Sequence, residues 1–244
     1  MNTVTIVYRF NVARFQPEHI FEISIDAETG LFVEPPPAAV PDWTRLEFHQ
    51  CSGCPLASGT SPQCPAAVRL AAVIDRFSDV VSYDQIDVSV QTDDRTIATR
   101  TSAQQGLSSL IGLILAASGC PRTAVFRPMG RFHLPFASET ETAYRVASMY
   151  LLAQHFAARA GRAPDIEMKE LALVYRGVHQ MNVGLVQRLR AATTEDAVIN
   201  AIVQLDVYTN LVPGAVEELL NEIKPSFDAL LAAPLRAGER PPSS

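Results

Sequence analysis

The period of the hydrophobic pattern changes near residue 103, and nothing else in the chain limits its fold as strongly. Before that point apolar residues alternate, as in half-buried strands. After it they recur three and four residues apart, as on the buried face of a helix. Val4, Ile6, Tyr8 and Phe10 alternate, and a second apolar run from Ile20 to Ile25 follows a loop containing Pro17. Ala27-Glu28-Thr29-Gly30 has turn chemistry and leads into Leu31-Phe32-Val33, so residues 19–33 read as a hairpin. Pro35, Pro36, Pro37 and Pro41 predict an extended connector, with a further short strand over 44–48. A helix is expected over 65–77, with Pro65 suited to its first turn. Ile86, Val88 and Val90 alternate, and Asp93-Asp94 turns the chain into a second hairpin ending near Thr101.

Beyond the change of period, helices are expected near 103–118, 139–160, 165–191, 195–210 and 214–231. Ser138 with Glu141 forms a capping box, Asp165 follows Pro164, and Thr194 precedes Glu195-Asp196. Gly119 and Gly161 stand where helices should stop, and the tail beyond Pro234 reads as loose. The fold class is α+β: a strand-rich N-terminal half, two hairpins plus one helix, packed on a mostly helical C-terminal half of four to five helices. The expected division is 1–102, 103–232 and a tail over 233–244, with the first two integrated as one domain.

Composition narrows the functional classes. Of 244 residues, 48% are hydrophobic and 19% charged, too apolar for general disorder. The pI near 5.4 argues against a dedicated nucleic-acid binder. The net charge of −6 lies in residues 1–102, with 7 basic and 13 acidic side chains, against 13 of each in 103–244. The N-terminus lacks a basic region followed by an apolar run, so no secretory signal is read there. The longest charge-free stretch, 101–121, contains an apolar run only from Leu107 to Ala117. A membrane span needs about 20 such residues, so a buried central helix is expected. The chain reads as soluble and cytoplasmic, where cysteines serve as thiols, metal ligands or redox groups.

The cysteines carry the clearest chemistry. His49-Gln50-Cys51-Ser52-Gly53-Cys54-Pro55 continues to Cys64-Pro65, so three of the four cysteines fall in one segment. The two-residue step between Cys51 and Cys54 lets both sulfurs face one centre, with Gly53 free to adopt the left-handed conformation. The intervening loop has neither helical nor strand periodicity, and a metal closing its ends would order it. Cys120, at the end of the central helix, is one candidate for the fourth ligand. His49 is the other if the chain from Thr44 is extended, which puts it on one face with Cys51. Structural zinc is the leading reading. An iron–sulfur cluster or thiol switch is an alternative, since Cys54, Cys64 and Cys120 each precede proline, and inert buried thiols are a third.

A second candidate site lies in the segment 120–138. Arg122, Arg127, Arg131 and His133 occur there without a carboxylate, just before the capped start of a helix. Guanidinium groups near free backbone N–H groups suit a phosphate or carboxylate, and Phe126, Phe132 and Phe136 could wall the pocket. The alternative is that the phenylalanines are core and the arginines pair with the acidic N-terminal half. Phosphate-loop, dinucleotide, zinc-protease and nucleophile-elbow motifs are all missing. Tyr175 and His179 with Glu170 read as a polar helix face, and Glu217, Glu218 and Glu222 as a solvated one. No catalytic set is assigned.

The run Phe48-His49-x-Cys51-x2-Cys54-Pro55-Leu56, followed by Cys64-Pro65-Ala66, Gly119-Cys120-Pro121 and Arg131-Phe132-His133-Leu134-Pro135-Phe136, resembles an uncharacterised bacterial protein family. The resemblance covers about 3–220 and implies no activity or cofactor. The expected function is that of a zinc-stabilised binding or interaction module. The alternatives are a redox protein, iron–sulfur or thiol-based, and an enzyme or binder for an anionic small molecule at Arg127, Arg131 and His133. The expected partner is a protein or an anionic small molecule, with no nucleic acid and no membrane; a homo-oligomer is compatible.

Overall fold

The computed structural model describes residues 2–12, 18–192 and 196–232, with backbone alone over 211–217. Four strands, β1 (Thr3–Val12), β2 (His19–Asp26), β3 (Gln85–Gln91) and β4 (Thr96–Ser102), form one antiparallel sheet in the order β2-β1-β3-β4. Register follows the pleat: Tyr8 stands opposite Phe21 on one side and Val90 on the other, and Phe10 lies opposite His19 and Val88. Ile6, Tyr8, Phe10 and Val12 therefore share one face with Phe21, Ile23 and Ile25 and with Ile86, Val88 and Val90, and all ten are buried. Period-two alternation puts every one of these side chains on the same side.

Seven helices cover that face and build the other half: α1 (Pro65–Arg76), α2 (Ala103–Ala117), α3 (Arg127–Arg131), α4 (Glu139–Arg159), α5 (Leu171–Ala192), α6 (Asp196–Ile223) and α7 (Asp228–Ala232). Helix α2 is the charge-free segment, and it packs on β3 and β4 as well as on α1, α3 and α6. Being enclosed on all sides, it is apolar nearly all round. A continuous core runs from Ile6 on β1 through Leu110 and Ile111 on α2 to Leu185 on α5 and Ile202 on α6. A smaller cluster joins Val146 and Tyr150 of α4 to Leu171 and Tyr175 of α5. The molecule is thus α+β, with the sheet in the N-terminal half and most helices in the C-terminal half. No described helix is long and apolar enough to cross a membrane.

Several local expectations change. The predicted strand over 44–48 is instead a helical turn, Asp42–Thr44, followed by turns and one bridge between Arg45 and Gln63. Its backbone groups are taken by the far end of the cysteine loop, with Leu46 N–H donating to Pro62 O and Cys64 N–H to Thr44 O. The return strand of the first hairpin shrinks to a bridge between Ile25 and Phe32, because β2 takes its partner from β1. Helix α5 starts at Leu171, not 165: Asp165 accepts from Glu170 N–H and from the Tyr150 hydroxyl and so closes a turn. The two expected last helices are largely one, α6, packed against α2, α4 and α5. The Thr194 cap, the Pro17 loop and the tail over 233–244 fall outside the described residues.

Candidate functional site

Three separate segments bring the four cysteines together. Cys54 N–H donates to Cys51 O at 3.1 Å, closing the two-residue turn, and Gly53 sits inside it at φ +64°. Cys64 caps α1, with Pro65 at the first helical position and Val68 N–H returning to Cys64 O. Cys120 follows α2, where its N–H donates to the Ser118 hydroxyl. Cys51, Cys54 and Cys64 are half-buried, Cys120 is buried, and all four are free thiols.

The sulfurs lie within electrostatic reach of one another. The Cys51 thiol is pushed up to about 12, first by burial and then by Cys54, with which it shares a hydrogen bond, and by Cys120 and Cys64. Burial also raises Cys120, against opposing backbone hydrogen bonds from Arg122 and Thr123. Both shifts favour the protonated thiol at Cys51 and Cys120 until a cation offsets the charge. Among the described residues, no group of three or more His, Cys, Asp or Glu side chains is drawn together as a preformed metal cage. The arrangement is three thiols on the loop with Cys120, at the end of α2, beside them. His49 is exposed, at φ 47°, with its ring edge-on to Phe48 at 5.0 Å. The extended path that would have aligned it with Cys51 is replaced by turns, and the thiol interactions run to Cys120.

Two arginines hold this loop in place. Arg188 of α5 is 2% exposed and donates through Nη1 to Trp43 O at 2.6 Å and Arg45 O at 2.5 Å, and through Nη2 to Leu46 O at 3.0 Å. Its guanidinium also faces the thiols: burial lowers its pKa, and Cys64, Cys51 and Cys54 act in the opposite direction. Arg122, two residues after Cys120, donates to Gly53 O. Helix α5 makes room for both loop and clamp. A Cβ at Gly184 would lie 2.7 Å from the Cys51 Cα, and one at Gly177 would lie 2.7 Å from Arg122 Nη1. Gly177, Gly184 and Arg188 are spaced by seven and four residues, so one face of α5 carries the cysteine loop. Sequence reasoning missed these residues; the available signal was the pair of glycines two turns apart inside a long helix.

The arginine–histidine segment does not converge. Arg122 turns to the cysteine loop. The Arg127 side chain packs over Gly30, where an added Cβ would meet its Cβ at 2.7 Å, and its buried Nε has no hydrogen-bond partner. Arg131 is exposed and lies over the ring of Phe132, itself 70% exposed. His133 alone points inward. Its Nε2 is 2.6 Å from the Tyr8 hydroxyl, which is 2.8 Å from Ser109 Oγ. Burial, reinforced by Arg145, drops the His133 pKa to about 3, so the imidazole is neutral. Tyr175 and His179 also separate: Tyr175 packs edge-on to Phe126, while His179 Nδ1 lies 2.9 Å from the Asp206 carboxylate on α6.

His133 lines a cavity of about 550 Å³ bounded by α2, the 120–138 segment, α4, α5, α6 and the end of β4 at 99–101. Phe126 and Phe136 line it, whereas Phe132, the third ring the sequence offered as a wall, is exposed.

Fold and site together define an α+β protein in which an antiparallel sheet and a helical layer share one core and a cysteine loop is clamped on the long helix α5. The chain belongs to a family described as a domain of unknown function, DUF6901, whose model matches residues 6–228. No curated protein and no solved structure gives a significant match.

Proposed function

We propose that this is a cytoplasmic metal-binding protein that holds one structural zinc ion through Cys51, Cys54, Cys64 and Cys120 and acts as a binding module. The observation that supports it is that Cys51 lies within electrostatic reach of Cys54, Cys64 and Cys120, free thiols from three segments, with one buried guanidinium facing Cys51, Cys54 and Cys64. Four thiolates on zinc carry a net charge of −2, which Arg188 partly offsets. All-sulfur tetrahedral coordination is the usual chemistry of closed, structural zinc sites. Such a site leaves no open position for a substrate, so the metal would order the 42–64 loop and present its surface. A reducing compartment keeps the thiols available to the metal.

Elemental analysis and an absorbance spectrum of protein purified without air, beside Cys51→Ser, test the reading. The expected result is about one zinc per chain and no visible band, with the zinc lost in the variant. Iron with charge-transfer absorbance would replace zinc by a cluster and favour the redox alternative. Four titratable thiols without metal would refute the metal site.

A further inference from the structure

We propose that the cavity between α2, α4, α5 and α6 is a binding site for an amphipathic carboxylate, a single anionic head on an apolar body. Its volume, about 550 Å³, lies in the range of small-molecule sites. Leu113, Phe126, Met129, Val178 and Leu205 supply apolar walls. Among the described residues the lining contains no carboxylate but two guanidiniums, the half-buried Arg145 and the exposed Arg100.

Arg145 is half-buried on α4 and fixed by Nη2, which donates to Met129 O at 3.1 Å and Phe132 O at 2.9 Å. The nearest acid, Glu141, is engaged in the capping box with Ser138. Arg145 is thus a positioned cation facing a carboxylate-free space, and guanidinium matches the planar carboxylate. Of the lining cations Arg145 is the one fixed on backbone carbonyls, whereas Arg100 is exposed and His133 is neutral, and one positioned charge suits a monoanion better than a phosphate dianion. On α6, Gln204 Oε1 is buried in the wall without a hydrogen-bond partner. No cysteine lines the cavity, so this site stands apart from the thiol loop.

The test is calorimetric titration of the purified protein with decanoate, decanol, decylamine and decyl phosphate, repeated on Arg145→Gln. Decanoate is expected to bind about tenfold or more tighter than decanol, the worth of one charge-assisted hydrogen bond, with decylamine not bound. Arg145→Gln should bring decanoate down to the decanol level while leaving decanol unchanged; retained decanol binding shows that the cavity is intact. Equal binding of decanoate and decanol, tighter binding of decyl phosphate, or no binding at all would each overturn the proposal, on the wild type alone.

Discussion

A guanidinium buried as deeply as Arg188 persists only where its donors are used, and its partners are three consecutive-turn carbonyls, those of Trp43, Arg45 and Leu46. Those carbonyls belong to a segment that forms no strand; Arg45 O also accepts from Phe48 N–H, and Arg188 donates to all three. Lysine would carry the charge without the planar fork that reaches all three. His133 shows the opposite solution: a titratable group buried in its uncharged form against Tyr8. Its pKa is about 3 in the fold against about 6.5 in an unfolded chain. Between those values the unfolded state binds more protons, so the contribution to stability is full above pH 6.5 and is lost as pH falls toward 3. His19, lowered by burial and by Arg76, works in the same direction, so the variant must isolate His133. Urea midpoints measured from pH 8 to pH 4 are expected to fall more steeply for the wild type than for His133→Gln below about pH 6.5. Parallel curves would show that His133 does not titrate on unfolding.

At the scale of elements, legibility in the sequence follows the range of the interactions. Helix α4 begins at its capping box because Ser138 and Glu141 satisfy each other's backbone within three residues. The alternation of Val4 to Phe10 gave β1 for the same local reason. The start of α5 was not legible, since Asp165 is claimed by Tyr150 from another helix. Nor was the fate of Arg122 and Arg188, which act on loop residues 69 and more than 140 positions away. The tight turn joining Cys51 to Cys54 could be read from their spacing, whereas the surface that holds them is set by tertiary packing. That surface is the glycine face of α5, and it makes a sharp expectation. In an exposed helix, alanine is favoured over glycine by about 1 kcal/mol. At Gly184 the new Cβ would meet Cys51 backbone, which cannot swing aside as a side-chain tip can. Gly184→Ala is expected to destabilise by roughly 1–3 kcal/mol, the usual cost of overpacking, and, on the zinc reading proposed above, to lower metal content. Gly112→Ala on α2, whose nearest described neighbour would be Leu205 Cδ2 at 3.8 Å, is the control and should not destabilise. Urea unfolding with metal analysis of both variants decides it, and a stabilised Gly184→Ala retaining its metal would contradict the close approach.

Over the whole molecule, one core runs from the sheet through α2 to α6, so strands and helices are expected to lose their packing together. The cysteine loop is joined to this core differently. Cys51, Cys64 and Trp43 pack at its margin, while the intervening 52–63 is mostly exposed and has little regular structure of its own. Its attachments are Arg188, Arg122, the Cys64 cap and, on the reading proposed here, the metal. Removing the metal should therefore open the loop before the domain, a local unfolding below the global free energy. The chain's one tryptophan, Trp43, sits in the turn that Arg188 holds, and reports on the loop, whereas far-ultraviolet circular dichroism reports on the helices. With metal bound, fluorescence and dichroism are expected to give coincident urea transitions. After chelation the Trp43 transition should move to lower urea while the dichroism transition moves less, and restoring zinc should bring the two together again. If both shift equally, the loop and the core form one cooperative unit and the metal stabilises the whole fold; if neither shifts, the loop is held by its arginines alone.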